Sequence, residues 1–338
     1  LDTQTVPLGF KGPISFDDFT YDADHHRVVI PAGESGALVL INPSDMAKQI
    51  ITGFSQQTEP DSSVPIIGAS SAAVAGGFLF GVDKATQSIK TVDLNARKIV
   101  ASTPLQSEPD TIRYISATGE LWVTEQASNQ IEIFSLSADT PPALQPSGNN
   151  ISVPNGPEGL LFDDTRGLVF TNEPKEGLTA VIQVNTHSVI HEWANGCSQA
   201  RGMAVDKSEG YLFVACEEGK LAVLDIDNGF QVTSQNYGAN LDAVAFNPKL
   251  NHVYLPSAAS GIVAIFQLQP PQLTCPNSSE ATPDPNIITS LCLLGTADTA
   301  IRSNCVAADE ENNIWVCDPN KGQAFRIHDT FPNKSSTP

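Results

Sequence analysis

Seven polar side chains stand at the same point of a recurring pattern: Asp17, a serine at 70 or 71, Asp110, Glu158, Arg201, Asp242 and Asn304. Each lies four residues before the end of a short apolar strand. Four carboxylates, one guanidinium and one amide from distant parts of the chain could thus share one small space. Such a set can do three things. Carboxylates and an amide oxygen suit a hard divalent cation such as Ca²⁺, which takes about six to eight oxygens. Two crowded carboxylates can divide into an acid and a base, with Arg201 holding an anionic or carbonyl group. Or the group is structural, with Asp and Asn accepting backbone N–H bonds at strand starts and Arg201 neutralising its neighbours.

The elements that position these residues form a repeat. Its first half is an apolar strand ending in an aromatic or small residue plus Asp, then a polar turn, then a strand of the type Leu-Phe-Val. Copies run over 19–33, 72–85, 112–126, 160–174, 203–217, 244–258 and 306–320. A third strand follows each, as in Gly219-Lys-Leu-Ala-Val-Leu-Asp-Ile226, and after most of them a more variable fourth. Short alternating strands joined by Gly, Asn and Asp turns predict an all-β, single-domain, seven-bladed β-propeller of four-stranded antiparallel blades. The blades are expected near 14–55, 68–106, 108–154, 155–197, 198–238, 239–298 and 299–332. The seventh runs out of chain after its third strand, so residues 4–10 are expected to close the ring and remove an exposed edge. In that architecture first strands line the central channel, and the seven polar positions form a ring at one mouth, where a ligand pocket is assembled from separate repeats.

Two insertions interrupt the repeat, 138–150 and the proline-rich 269–287, and both are expected to be surface loops. Cysteines 197, 216, 275, 292, 305 and 317 are even in number, and strand register pairs them sequentially as Cys197–Cys216, Cys275–Cys292 and Cys305–Cys317. Sequons at Asn150, Asn277 and Asn333 are candidate glycosylation sites. The cysteines and an N-terminus with no basic or apolar leader suggest a mature secreted or periplasmic protein whose signal peptide was removed.

Several classes lose their footing. A formal charge of −20 repels phosphate backbones and anionic membranes, so nucleic acid is not an expected partner. No apolar run approaches the roughly 18 residues of a membrane span. No C-x-x-C spacing supports a zinc ribbon, redox motif or covalent haem, and no Walker loop, dinucleotide fingerprint or G-x-S-x-G occurs. No nucleotide, haem or flavin is expected. The histidines fall at turns or outer strands: 25 and 26 in the first turn, 252 in the sixth, 187 and 191 on an outer strand, 328 near the end. Trp122, Trp193 and Trp315 read as blade packing.

Nearly the whole chain resembles the YVTN or YncE-like branch of seven-bladed propellers. The likeness rests on Pro109-Asp110-Thr-Ile-Arg-Tyr, Gly156-Pro-Glu158-Gly-Leu-Leu-Phe-Asp, Arg201-Gly-Met-Ala-Val-Asp and Leu241-Asp242-Ala-Val-Ala-Phe-Asn-Pro. Members of that group are commonly exported, and some related propellers are lactonases, lyases or ligand-binding proteins. The resemblance implies two functions. One is a protein that binds a small ligand, cation or protein partner at its acidic mouth. The other is a metal-assisted, lactonase-type hydrolase or a lyase acting on a sugar-derived or other small substrate. In the second, Asp17, Glu158, Asp242 and Asn304 hold the cation, Asp110 is the base and Arg201 orients the substrate. An extracellular assembly scaffold is a third use of such a ring.

Overall fold

The structure, a computed structural model, describes residues 1–56, 68–269 and 290–333. Cys275, Asn277 and nearly all of the 269–287 insertion lie outside the described residues.

The architecture is a seven-bladed propeller of antiparallel sheets. From the channel outward, blade one comprises Thr20–Asp22, Arg27–Pro31, Ala37–Ile41 and Lys48–Thr52, and blade two Ala69–Ala75, Phe78–Asp83, Ser88–Asp93 and Lys98–Pro104. Blade three comprises Ile112–Ile115, Glu120–Glu125, Gln130–Leu136 and a split outer strand, Leu144–Pro146 with Ile151–Ser152. Blade four holds Glu158–Asp163, Leu168–Glu173, Leu178–Gln183 and Ser188–Ala194. Blade five holds Ala200–Asp206, Tyr211–Cys216, Lys220–Asp225 and Gln231–Asn236. Blade six holds Ala245–Asn247, His252–Ser257, Ile262–Gln269 and Ser290–Asp298. Blade seven takes Val306–Ala308, Asn313–Asp318 and Gln323–His328 from the end of the chain and Asp2–Pro7 from its beginning.

Where a first strand ends in Asp or Asn, that side chain has a physical role. It accepts the amides of the turn that follows: Asp163 those of Thr165 and Arg166, Asp206 those of Ser208 and Glu209, and Asn247 those of Lys249 and Leu250. These local bonds let the chain reverse without a paired ladder. The second strands are enclosed on both faces, and Glu120–Glu125, His252–Ser257 and Asn313–Asp318 are buried at every position.

The hydrophobic packing lies between blades. Apolar side chains of blade one meet those of blade two, and so on around the ring to the junction of blades seven and one, where Val6, Leu8, Ile14, Phe16, Val28 and Trp315 pack together. Trp122 and Trp315 are fully buried in these interfaces. Trp193 stacks with His191 on an outer strand of blade four.

Three expectations need correction. Ring closure uses Asp2–Pro7 rather than 4–10, with Asp2 opposite His328 and Pro7 opposite Gln323. Pairing stops there because proline has no N–H to donate and Gly9, at φ +94°, turns the chain away. The 138–150 insertion is not all loop, since Leu144–Pro146 pairs with Gln130–Leu136. His252 is not in a turn. It opens a buried strand, with Nδ1 2.7 Å from Asp329 Oδ2, and the Tyr254 hydroxyl donates to the same oxygen at 2.9 Å. These contacts tie the segment after the last strand to blade six.

Disulfides Cys197–Cys216 and Cys305–Cys317 are present, with Cα–Cα distances of 5.3 and 5.6 Å. Such bonds are compatible with an oxidising compartment. No helix among the described residues is long and apolar enough to cross a membrane.

A variant lacking residues 1–7 leaves Gln323–His328 as an unpaired edge and exposes the apolar junction of blades seven and one. It is expected to unfold at lower denaturant concentration than the full chain and to self-associate. Equilibrium urea unfolding and light scattering check both effects.

Candidate functional site

A cavity of about 690 Å³ runs along the ring axis. Asp17, Asp110, Glu158, Asp242 and Asn304 line it together, while Arg201 lines an adjoining pocket of about 430 Å³ that also touches Asp242 and Asn304. Ser70 and Ser71 do not line the cavity. They are buried, Ser70 donating to the Asp110 carbonyl and Ser71 to the Asp18 carboxylate. No histidine lines the cavity.

Two local devices place these side chains. Asp17, Asp110, Asp242 and Asn304 precede the first strands of their blades, so their orientation is not dictated by a ladder. Glu158 and Arg201 instead sit at irregularities. In blade four the pairing jumps from Glu158↔Asn172 to Leu161↔Phe170, and in blade five from Ala200↔Cys216 to Met203↔Val214. A bulge re-aims the side chain beside it. Gly202 allows the neighbouring blades to approach closely: its N–H donates to the Asp242 carbonyl at 2.8 Å, and a Cβ there would stand 2.7 Å from that oxygen. The Arg201 carbonyl accepts from buried Asn172, and Arg201 and Asp242 are thereby held by backbone as well as by charge.

The structure adds residues that the repeat alignment passed over. Lys84 donates to Asp110 Oδ1 at 2.8 Å and lies 3.8 Å from Asp17 Oδ2. Gln126 donates to Glu158. Glu217 accepts from Arg201 Nε at 2.9 Å, and Arg201 Nη1 is 3.4 Å from Glu158 Oε2. Lys84, Gln126 and Glu217 each directly follow the second strand of their blade, after Asp83, Glu125 and Cys216. They form a second tier on the mouth face, with a regular signal in the repeat. Next to the ring, Arg113 donates to both Asp18 oxygens, at 2.9 Å for Oδ1, and it too lines the cavity.

Charge in this space is unevenly compensated. Burial acts against ionised Asp110, yet Lys84 outweighs it and holds that carboxyl below its ordinary value. Burial, then the neighbouring Asp110 charge, raises Asp17 well above its ordinary value despite Lys84. Burial and Asp110 also push Glu158 up to about 8, against the pull of Arg201. Asp242 is raised by burial despite the amide that Asn304 Nδ2 donates to it at 2.9 Å. One carboxyl is therefore held ionised while its neighbours favour a proton or a bound cation.

Spacing limits what that cation can be. Among the described residues, the only group of three or more His, Cys, Asp and Glu side chains with donor atoms all within 4.8 Å of one another is Cys197, Cys216 and Glu218, and its cysteines are consumed in a disulfide. Asp17, Glu158 and Asp242 line the cavity wall without closing to that spacing. Their oxygens suit Ca²⁺ in kind, but they do not form a ready cage around one ion.

No family model matches the sequence, and no curated protein matches it. Solved structures do match in shape. Hydrazine synthase of Kuenenia stuttgartiensis aligns at 13% identity with a TM-score of 0.71, covering 96% of this chain and 97% of that one. U3-55K aligns at 12% identity and TM-score 0.73, over 97% and 98% of the two chains. A streptogramin B lyase aligns at 11% identity and TM-score 0.66, over 96% of each. Likeness at this level of identity speaks for the fold.

Glu158 binds more protons in the folded than in the unfolded chain between about 4.5 and 8, so its contribution to stability falls as pH rises through that window. Glu158→Gln removes this cost. Its melting temperature relative to the parent is expected to be higher by roughly 2–4 °C at pH 8.5, with the difference shrinking toward pH 4.5, as calorimetry across that range would check.

Proposed function

We propose that this is an exported propeller that binds a small organic ligand through a cationic group at the acidic mouth of its channel. The observation that carries the reading is the charge balance of one enclosed space. Asp17, Asp18, Asp110, Glu158 and Asp242 line the cavity, and Lys84 and Arg113 are already engaged by Asp110 and Asp18. Arg201 is shared between Glu158 and Glu217. A bound cation would offset the burial, and secondarily the mutual repulsion, that keep Asp17, Glu158 and Asp242 raised, and an ammonium reaches such dispersed oxygens more readily than one metal ion, which needs them in a single shell. Export rests on the two disulfides and on the YncE-like resemblance of the repeat.

A second reading has its own observation. Asp110 held low and Glu158 held near 8 in the same cavity are a base and an acid separated by environment, the arrangement that acid–base enzymes use. The streptogramin B lyase is one neighbour in shape whose name describes lyase chemistry. Asp110 would then abstract a proton, Glu158 return one, and Arg201 hold a carbonyl or carboxylate.

Titration calorimetry with primary amines, and separately with Ca²⁺, tests the first reading. Amine binding is expected to tighten from pH 6.5 to pH 8.5 as Glu158 ionises while the ammonium stays charged, and to weaken about tenfold in Asp242→Asn, a loss of roughly 1.4 kcal/mol. Absence of amine binding at every pH overturns it. For the enzyme reading, a panel of lactones and uronates is assayed with and without EDTA. Turnover that falls about 10²-fold or more in both Asp110→Asn and Glu158→Gln is expected, and no turnover under any condition removes it.

A further inference from the structure

The pocket beside the ring has a different character from the channel. Arg201, Glu217, Asp242, Ala258, Arg302 and Asn304 are among its lining residues, and its charged walls carry both signs. Arg201 is spoken for by Glu158 and Glu217. Arg302 is not: among the described residues no carboxylate or carbonyl accepts from its guanidinium, which is solvent-exposed at the pocket rim. Arg27, Arg113, Arg166, Arg201 and Arg326 face carboxylates; among the described residues Arg97 and Arg302 do not, and of these two only Arg302 lines the pocket.

The backbone under Arg302, like that under Arg97, is left-handed. The Arg302 φ is +74°, in the left-handed region that favours glycine. The surrounding turn over-determines that conformation. Arg302 N–H donates to the Ala258 carbonyl at 2.7 Å, and Ser303 N–H to the Ala300 carbonyl at 3.0 Å. The Ser303 hydroxyl donates to the Cys317 carbonyl at 2.6 Å, and Asn320 Nδ2 to the Ile301 carbonyl at 2.9 Å. The Cys305–Cys317 disulfide anchors the same corner. A glycine would fill this turn without strain, yet the position carries an arginine, which lines the pocket and is exposed.

We propose that Arg302 is the carboxylate-binding residue of a subsite that continues the acidic mouth, so that the ligand is a small aminocarboxylate zwitterion. The inference rests on the cation-binding reading of the mouth and specifies its ligand class. A purely anionic ligand entering the pocket meets Glu217 and Asp242, and a purely cationic one meets Arg302. A molecule with an ammonium toward Asp17, Glu158 and Asp242 and a carboxylate toward Arg302 matches both walls. The planar guanidinium fork pairs with a carboxylate through two parallel N–H bonds.

The test uses the full chain and calorimetry with β-alanine, γ-aminobutyrate and ε-aminohexanoate, against propylamine and butyrate. One of the three aminocarboxylates is expected to bind about tenfold or more tightly than the amine, and Arg302→Gln is expected to bring that ratio close to one. Arg302→Gly, which adopts the left-handed turn freely, should fold at least as stably and lose the same preference, so that loss of folding cannot stand in for loss of the subsite. If the amine binds but no aminocarboxylate exceeds it, or if the preference survives in both variants, the Arg302 subsite is wrong and the acidic mouth stands. If neither amines nor aminocarboxylates bind, both proposals fall.

Discussion

Backbone pairing between Asp2–Pro7 and Gln323–His328 joins the two ends of the chain into one blade, and the geometry of everything at the channel depends on it. The mouth residues come from blades one to seven, and none of those blades contains a pocket alone. Each apolar cluster lies between two neighbouring blades, so a blade buries its faces only when both neighbours are present. An open ring would leave one interface exposed and let the others splay. Closure brings Asp17, Asp110, Glu158, Asp242 and Asn304 into one enclosed set, with Arg201 beside it.

That enclosure also creates the charge problem. Carboxylates separated by many residues in sequence become neighbours in a space with restricted water, where ionisation of one opposes ionisation of the next. Lys84, Arg113 and Arg201 answer part of it, each by engaging one or two acids at the wall. The remainder appears as raised proton affinity at Asp17, Glu158 and Asp242. Arg302 lies just outside this balance, with no carboxylate partner among the described residues.

Devices that hold the mouth recur around the ring in different forms. Bulges at Glu158 and around Arg201 interrupt ladders that are otherwise regular, and Gly202 permits contact with the backbone of the next blade. At the far end of the chain, His252 and Tyr254 grip Asp329, and the Cys305–Cys317 disulfide secures the strand beside Asn304. The last blade is thus locked on both sides, in keeping with its construction from two termini.

Periodicity in the sequence was sufficient for the fold. Alternating apolar strands, Asp-led turns and the shortfall of one strand in the last repeat are local or countable properties, and they determine blade number, blade order and the need for closure. Equivalent positions in the repeat also named most of the residues that line the cavity, because the start of each first strand sits at an equivalent height on the ring axis. What lay beyond the sequence was set by distances between blades. The Lys84–Asp110, Arg113–Asp18 and Arg201–Glu158 pairs exist only across blade boundaries. His252 looked like a turn residue because its burying partner, Asp329, is distant in the chain. Composition counts charges, but only the closed ring decides which are neutralised, since electrostatic energy depends on separation and access to water.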